Sequence, residues 1–299
     1  MPPPAITGYV DYHGHRIPYI RRDPPGSEGV TPIILVHGLT GSVRFWEAGF
    51  PEPLRSNFPW HSIGLPLHAP ATLPTDPDQL NLSEQDYAEL LLAVIDHLAP
   101  GRPVHLLGYS LGGFAVLNLA ARHPERVKSV VSISGFTTGR VQGLRDFMGF
   151  LAQDGPGRKT LFHLGWRFLH LHPLCYRCAL YLDAADWSAL TKYGYLGETI
   201  RNMWPDIRRH RVAAFRRLFR ALLTMDIGPE ISRITAPTLI IVGADDPTIP
   251  ISHHREYAAA IPGARFVALA GAGHIPLAER PEEFNRILWE WYESETSDV

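Results

Sequence analysis

Cysteine is nearly missing from this chain. Cys175 and Cys178 are its only pair in 299 residues, and two thiols on one helical face suit a reduced protein. Long apolar runs are missing too: no stretch approaches the roughly 20 residues of a membrane span. Met1-Pro2-Pro3-Pro4 has neither the basic start nor the apolar centre of a secretory leader. The expectation is a cytoplasmic protein without stable membrane insertion. An excess of one charge is also lacking, with 28 Lys plus Arg against 30 Asp plus Glu and a net charge of -2. That balance gives no overall pull toward nucleic acid or anionic membranes. No internal repeat is present, and nothing in the sequence sets an oligomeric state. What remains, 45% hydrophobic and 19% charged, excludes disorder and is ample for one large core.

The most informative stretch is Gly108-Tyr109-Ser110-Leu111-Gly112-Gly113. It follows the apolar run from Val104 to Leu107 and precedes a helical pattern from Phe114 to Arg122. A serine squeezed between strand and helix must take a strained backbone conformation, and only small neighbours at Gly108 and Gly112 leave room for the crowded main chain. The first amides of the next helix then face any oxyanion formed at Ser110. A serine hydroxyl needs a base, and the base needs an acid to orient it. His274, in the small-residue loop Ala270-Gly271-Ala272-Gly273-His274-Ile275-Pro276 after the strand-like run 264–269, is the candidate base. The strand in Pro237 to Gly243 ends in Asp245 and Asp246. Asp246 is the expected acid because its distance past Gly243 places it in the turn, with Asp245 as the fallback. The preceding strand runs into Gly135-Phe136-Thr137, without a carboxylate.

Near the N-terminus, Ile33 to Val36 leads into His37-Gly38-Leu39-Thr40-Gly41-Ser42, a glycine-rich turn with free backbone amides. With these residues in place, the chain resembles the α/β-hydrolase family over nearly its whole length, in the order Ser110, Asp246, His274. The resemblance implies a mainly parallel sheet with helices on both faces, and oxyanion-hole amides at Leu39 and Leu111. Departures narrow the chemistry. Ile63-Gly64-Leu65-Pro66-Leu67-His68-Ala69-Pro70 stands where the family usually carries Asp-x-Pro-Gly-His-Gly, so that loop's usual bracing acid is absent. Serine at 110 argues against dehalogenases and epoxide hydrolases of this fold, which use aspartate there. Tyr109 and its neighbours differ from the Gly-Gly-Ser-Trp-Gly elbow of proline iminopeptidases. Phe114 replaces an arginine of the menaquinone-pathway lyases.

Two hairpin strands (9–12 and 17–20), strands at 33–36 and 61–64, and a helix capped by Ser83 and Asp86 precede the Ser110 unit. A strand at 127–133 completes the first half of an alternating β and α pattern. Between residues 137 and 228 the alternation stops. This segment is expected to be a helical lid inserted into a core formed by 1–136 and 229–299. It carries 14 Lys plus Arg against 7 Asp plus Glu, hence +7, which leaves -9 for the remainder. Arg208 to Arg220, interleaved with Val212, Phe215, Leu218, Phe219 and Leu222, reads as an amphipathic helix whose arginines face water or the acidic core; the sharper reading is attraction of acidic substrates or a membrane surface. No nucleic-acid fold accompanies it. His170, His172, Cys175 and Cys178 have donor types suited to zinc but lie in an apolar helical pattern, so no metal and no cofactor are expected.

The expected activity is cleavage of a small-molecule carboxylic ester through an acyl-enzyme on Ser110. Substrate groups are expected near Leu39, Phe45, Trp46, Phe136 and Ile249. Carbon-carbon bond hydrolases, lactone hydrolases and perhydrolases share this constellation, and a non-catalytic ligand receptor is the alternative of another class.

Overall fold

The computed structural model describes residues 6–72, 82–139, 141–192 and 194–296; Met1 to Pro4 lie outside them. Eight strands form one sheet: β1 (Gly8–Tyr12), β2 (His15–Arg22), β3 (Ile33–Val36), β4 (Trp60–Ile63), β5 (Val104–Tyr109), β6 (Val127–Ile133), β7 (Thr238–Gly243) and β8 (Arg265–Leu269). Their spatial order is β1-β2-β4-β3-β5-β6-β7-β8. β1 and β2 pair antiparallel, as do β2 and β4; every later pairing, from β4–β3 onward, is parallel.

β3, β4, β5 and β7 are buried at every position because both sheet faces are covered. Side chains alternate between them. Ile34, Val36, Leu106, Val130, Ile240 and Val242 enter one apolar cluster, while Ile33, Leu35, Leu107, Val131, Leu239 and Ile241 enter the other. Against these faces pack α1 (Trp46–Gly49), α2 (Glu52–Asn57), α3 (Glu84–Leu98) and α4 (Leu111–Arg122). The start of α3 is a reciprocal cap: the Asp86 amide donates to Ser83 Oγ at 3.2 Å and the Ser83 amide to Asp86 Oδ2 at 2.8 Å.

Between β6 and β7 the chain forms α5 (Gly143–Ala152), α6 (Arg158–Leu169), α7 (Pro173–Tyr181), α8 (Trp187–Lys192), α9 (Tyr195–Ile207) and α10 (Val212–Leu222). This segment leaves and rejoins the sheet at one place. Ile227 N–H donates to Thr137 O at 2.9 Å, and Gly139 N–H to Met225 O at 3.2 Å. α10 buries Phe215, Leu218, Phe219 and Leu222. Its Arg216 and Arg220 pair with Asp154 of the same segment, and Arg44 reaches from the sheet side to Asp206 of α9. After β7 follow α11 (Ile251–Ala260), α12 (Pro276–Glu279) and α13 (Pro281–Thr296).

Candidate active site

β5, β7 and β8 end on the same edge of a parallel sheet, so the loops that follow them meet there. The loop after β5 is the tightest. Ser110 sits at φ 54° and ψ -114°, a conformation that costs about 1–3 kcal/mol for a residue with a side chain. The crossing is so close that a Cβ on Gly108 would stand 2.1 Å from Gly112 O, and one on Gly112 would stand 2.2 Å from Val36 O. Two backbone bonds hold the strained residue. Ser110 N–H donates to Ile133 O at 2.8 Å, and Phe114 N–H donates to Ser110 O at 3.0 Å, which starts α4.

Ser110 Oγ lies 2.9 Å from His274 Nε2, and His274 Nδ1 lies 2.7 Å from Asp246 Oδ2. All three residues are buried. The other oxygen of Asp246 accepts the amides of Thr248 at 2.7 Å and Ile249 at 3.0 Å. Burial pushes the Asp246 carboxyl up, but the His274 imidazole and these donors outweigh it and hold the acid well below the usual carboxylate range. An ionised Asp246 only accepts, so His274 Nδ1 carries the proton and its Nε2 lone pair faces the serine hydroxyl. His254 Nε2 stands 3.7 Å from the same Asp246 oxygen, beyond hydrogen-bond distance. Asp245 does different work: its Oδ2 accepts the Gly271 amide at 3.1 Å and braces the turn.

The His274 loop is clamped by a buried carboxylate that the sequence pattern did not single out. Glu279 Oε1 accepts the amides of Gly273 (3.0 Å) and Ile275 (3.2 Å), and Oε2 those of Ala185 (2.9 Å) and Asp186 (2.8 Å). One side chain thus ties the histidine loop to the helical segment. The His274 amide itself donates to Asp183 O at 2.8 Å.

The loop after β3 brings Leu39 beside Ser110. His37 is buried, and burial pushes its imidazole down to about 4. Its Nδ1 donates to Gly38 O at 2.9 Å and its Nε2 accepts the Leu65 amide at 3.2 Å. The His68 ring packs edge-on against it at 5.0 Å. Neutral histidines therefore brace the loop where the family's usual Asp is absent.

Above Ser110 lies a narrow apolar cavity, lined by Leu39, Leu111, Phe136, Phe219, Leu222 and Ile249 among others. Phe45 borders a neighbouring cavity and stacks on Tyr109 at 5.4 Å. Trp46 is not brought to any of these spaces; it is fully buried in the core beneath. Arg145 is a wall of the Ser110 cavity and of two adjoining ones. It donates to Asp183 Oδ2 at 2.7 Å, while Thr248 Oγ1 donates to Asp183 Oδ1 at 2.9 Å. Burial works against the Arg145 charge, but Asp183 outweighs it. Its Nε is buried without a partner. Nothing in the local sequence distinguishes Arg145 from a surface arginine.

His172 caps α7 by accepting the Leu174 amide, and His170, at the end of α6, stacks on Trp166 at 4.1 Å. Among the described residues no group of three or more His, Cys, Asp or Glu stands together as metal ligands would.

Residues 31–281 match the family described as the alpha/beta hydrolase fold. A protein from Pseudomonas savastanoi pv. phaseolicola (strain 1448A / Race 6), named "Putative carbamate hydrolase RutD", is 30% identical over 88% of this chain and 94% of its own length. The enol-lactonase from Burkholderia xenovorans LB400 superposes with a TM-score of 0.73 at 21% identity, over 95% of this chain and 99% of that one. A thermophilic esterase from Thermogutta terrifontis does so with a TM-score of 0.71 at 18% identity, over 97% of each.

Proposed function

The chain belongs to the α/β-hydrolase family, and from that premise we propose that it is a serine hydrolase cleaving carboxylic esters through an acyl-enzyme on Ser110. The observation that carries this reading is the unbroken row from Ser110 Oγ through His274 to Asp246, opening on an apolar cavity. In this reading Ser110 Oγ bonds to the carbonyl carbon as its proton passes to His274 Nε2. The oxyanion is received by the Leu39 and Leu111 amides. Leu111 opens α4, where a backbone N–H has no carbonyl one turn back to bond, and one such donor contributes roughly 10²–10³ in rate. The tetrahedral adduct collapses, the ester C–O bond breaks, and His274 returns the proton to the departing alkoxide. Water then attacks the acyl-enzyme by the same route, its proton going to His274 and onward to Ser110.

The 137–228 segment serves as a lid in this reading, since it contributes Arg145, Gly149, Phe219 and Leu222 to the cavity wall. The substrate rests against Leu39, Phe136 and Ile249, with Phe45 at the adjoining space. A carbamate likewise presents a carbonyl carbon bearing a leaving group to the same attack, so the names of the relatives fit this chemistry. A second reading, hydrolysis of a lactone or carbon-carbon bond in an acidic substrate, is favoured by one feature: the guanidinium of Arg145, with its unpaired Nε, lining the same cavity as the serine.

The test is turnover of p-nitrophenyl esters of rising acyl length, alongside carbamates, lactones and carboxylate-bearing esters, by the intact chain, Ser110→Ala and Arg145→Met. Multiple turnovers lost in Ser110→Ala are expected. An Arg145→Met chain that loses only the carboxylate-bearing substrates would favour the second reading. A folded protein that turns over none of them yet retains a ligand tightly would overturn both and point to a receptor.

A further inference from the structure

We propose that the outer face of α5, α6 and α7 is a docking surface for an anionic lipid–water interface. Every large apolar side chain that the described residues leave exposed lies between Phe147 and Leu223. On α6, Leu161, Leu164 and Phe168 recur at helical spacing and are 54%, 57% and 61% exposed, and Leu171, in the turn that follows, is 74% exposed. Phe162 and Trp166, on the opposite side of the same helix, are buried. The helix is therefore apolar on two faces, and only one of them finds cover among the described residues. Phe147 and Phe150 are also exposed on α5, which packs against α6, and large apolar side chains left exposed together on adjoining helices mark an interaction site.

Charge selects the occupant. Lys159 and Arg167 are exposed on α6 beside these side chains, and the Arg158 guanidinium lies 4.0 Å over the Phe150 ring. The whole segment is +7 while the rest of the chain is -9. A two-fold pairing of this face with itself would bring two such positive segments together. An anionic lipid surface matches both the leucines and the charge, as in helices that lie in the interface with an apolar face and a Lys/Arg rim. No helix among the described residues is long and apolar enough to cross a membrane, so the contact is peripheral. Directly beneath these helices lies the cavity lined by Met148, Trp166, Leu169 and Phe219, which shares Arg145 and Phe219 with the space above Ser110. Docking would set an apolar route facing the lipid. Only that consequence, delivery of lipid-borne esters, rests on the hydrolase reading.

The experiment is co-sedimentation of the full chain with vesicles of phosphatidylcholine alone and of phosphatidylcholine mixed with phosphatidylglycerol. Binding to the mixed vesicles, weakened by salt, is expected. Lys159→Gln and Arg167→Gln should each weaken it roughly fivefold, and Leu164→Ser with Phe168→Ser should abolish it. These variants should keep their turnover of a water-soluble ester. An intact chain that stays in the supernatant with both vesicles overturns the proposal. So does a dimer in light scattering that Leu164→Ser with Phe168→Ser dissolves, because the face is then covered by a second copy. A Ser110→Ala chain that still docks separates this proposal from the assigned chemistry.

Discussion

The sheet with its flanking helices and the α5–α10 segment treat apolar surface in opposite ways. In the first, Ile34, Leu107, Val131 and Ile240 are fully buried, side chains alternate along each strand between two covered faces, and no large apolar side chain is left exposed among the described residues. In the second, Phe147, Leu164, Phe168 and Leu171 stand in solvent, and the charge divides the same way. The sheet side is constrained by the positions of reacting atoms, where a shift of 1 Å is costly. In the proposed reading, the segment is constrained by what has to approach. If that division is right, substitutions on the sheet side should remove chemistry or the fold, whereas those in the segment should change selection and leave both standing.

The largest contrast is between Asp246→Asn and Arg145→Met. An asparagine at 246 holds His274 in the wrong tautomer, so kcat should fall by about 10⁴ for every substrate. Arg145→Met should alter the ratio of kcat/KM between carboxylate-bearing and neutral substrates. A general loss in both variants would erase the distinction between the regions. Steady-state kinetics on the same panel checks it.

The next contrast concerns backbone packing. Gly112→Ala places a Cβ 2.2 Å from Val36 O, a backbone atom that cannot yield, so a loss of about 3 kcal/mol or more is expected. Gly165, inside α6, meets nothing closer than Met148 Sδ at 3.9 Å. Gly165→Ala should stabilise the chain by about 0.5–1 kcal/mol, the helix-interior cost of glycine. Urea unfolding of the two variants measures the difference.

A third substitution tests the joint between the regions. Both Glu279 oxygens are filled by amide donors, so Glu279→Gln turns an NH₂ group toward N–H groups on one side. About 2 kcal/mol of stability should be lost, together with part of kcat as the His274 loop loosens. An unchanged kcat would detach the clamp from the histidine.

These residues also show what was legible in the sequence. The strands, the elbow at Ser110 and the order of Asp246 and His274 follow from local signals: apolar runs, paired glycines and loop position. The capped start of α3 was visible in Ser83 and Asp86 for the same reason. Glu279 and Arg145 were not, because their roles arise from partners 94 and 38 residues away, Ala185 and Asp183. A carboxylate five residues after a histidine carries no sign that it will be buried against four amides. Phe45 and Trp46 illustrate the same limit at close range. Adjacent in sequence, they diverge because α1 turns one ring onto Tyr109 and the other into the core.

The smallest expected effect lies where the two regions touch through histidines. His68 of the loop after β4 faces His210 at 5.6 Å between ring centroids, and His210 faces His170 at 6.0 Å. His37 stands behind His68, and Phe215 stacks on His210 at 4.7 Å. Burial holds the imidazoles of His68 and His210 well below their ordinary value, with neighbouring histidines adding to the shift. A histidine whose folded value is depressed binds a proton more readily when unfolded. Its stabilising effect is therefore full above about pH 6.5, the unfolded value, and declines as pH falls below it, by about 1.4 kcal/mol per pH unit for each such group. His210→Phe removes one of these protons and keeps a ring against Phe215. The variant should match the intact chain near pH 8 and outlast it near pH 5, with a shallower dependence of Tm on pH. A parallel shift at every pH would instead mean that His210 contributes by packing alone.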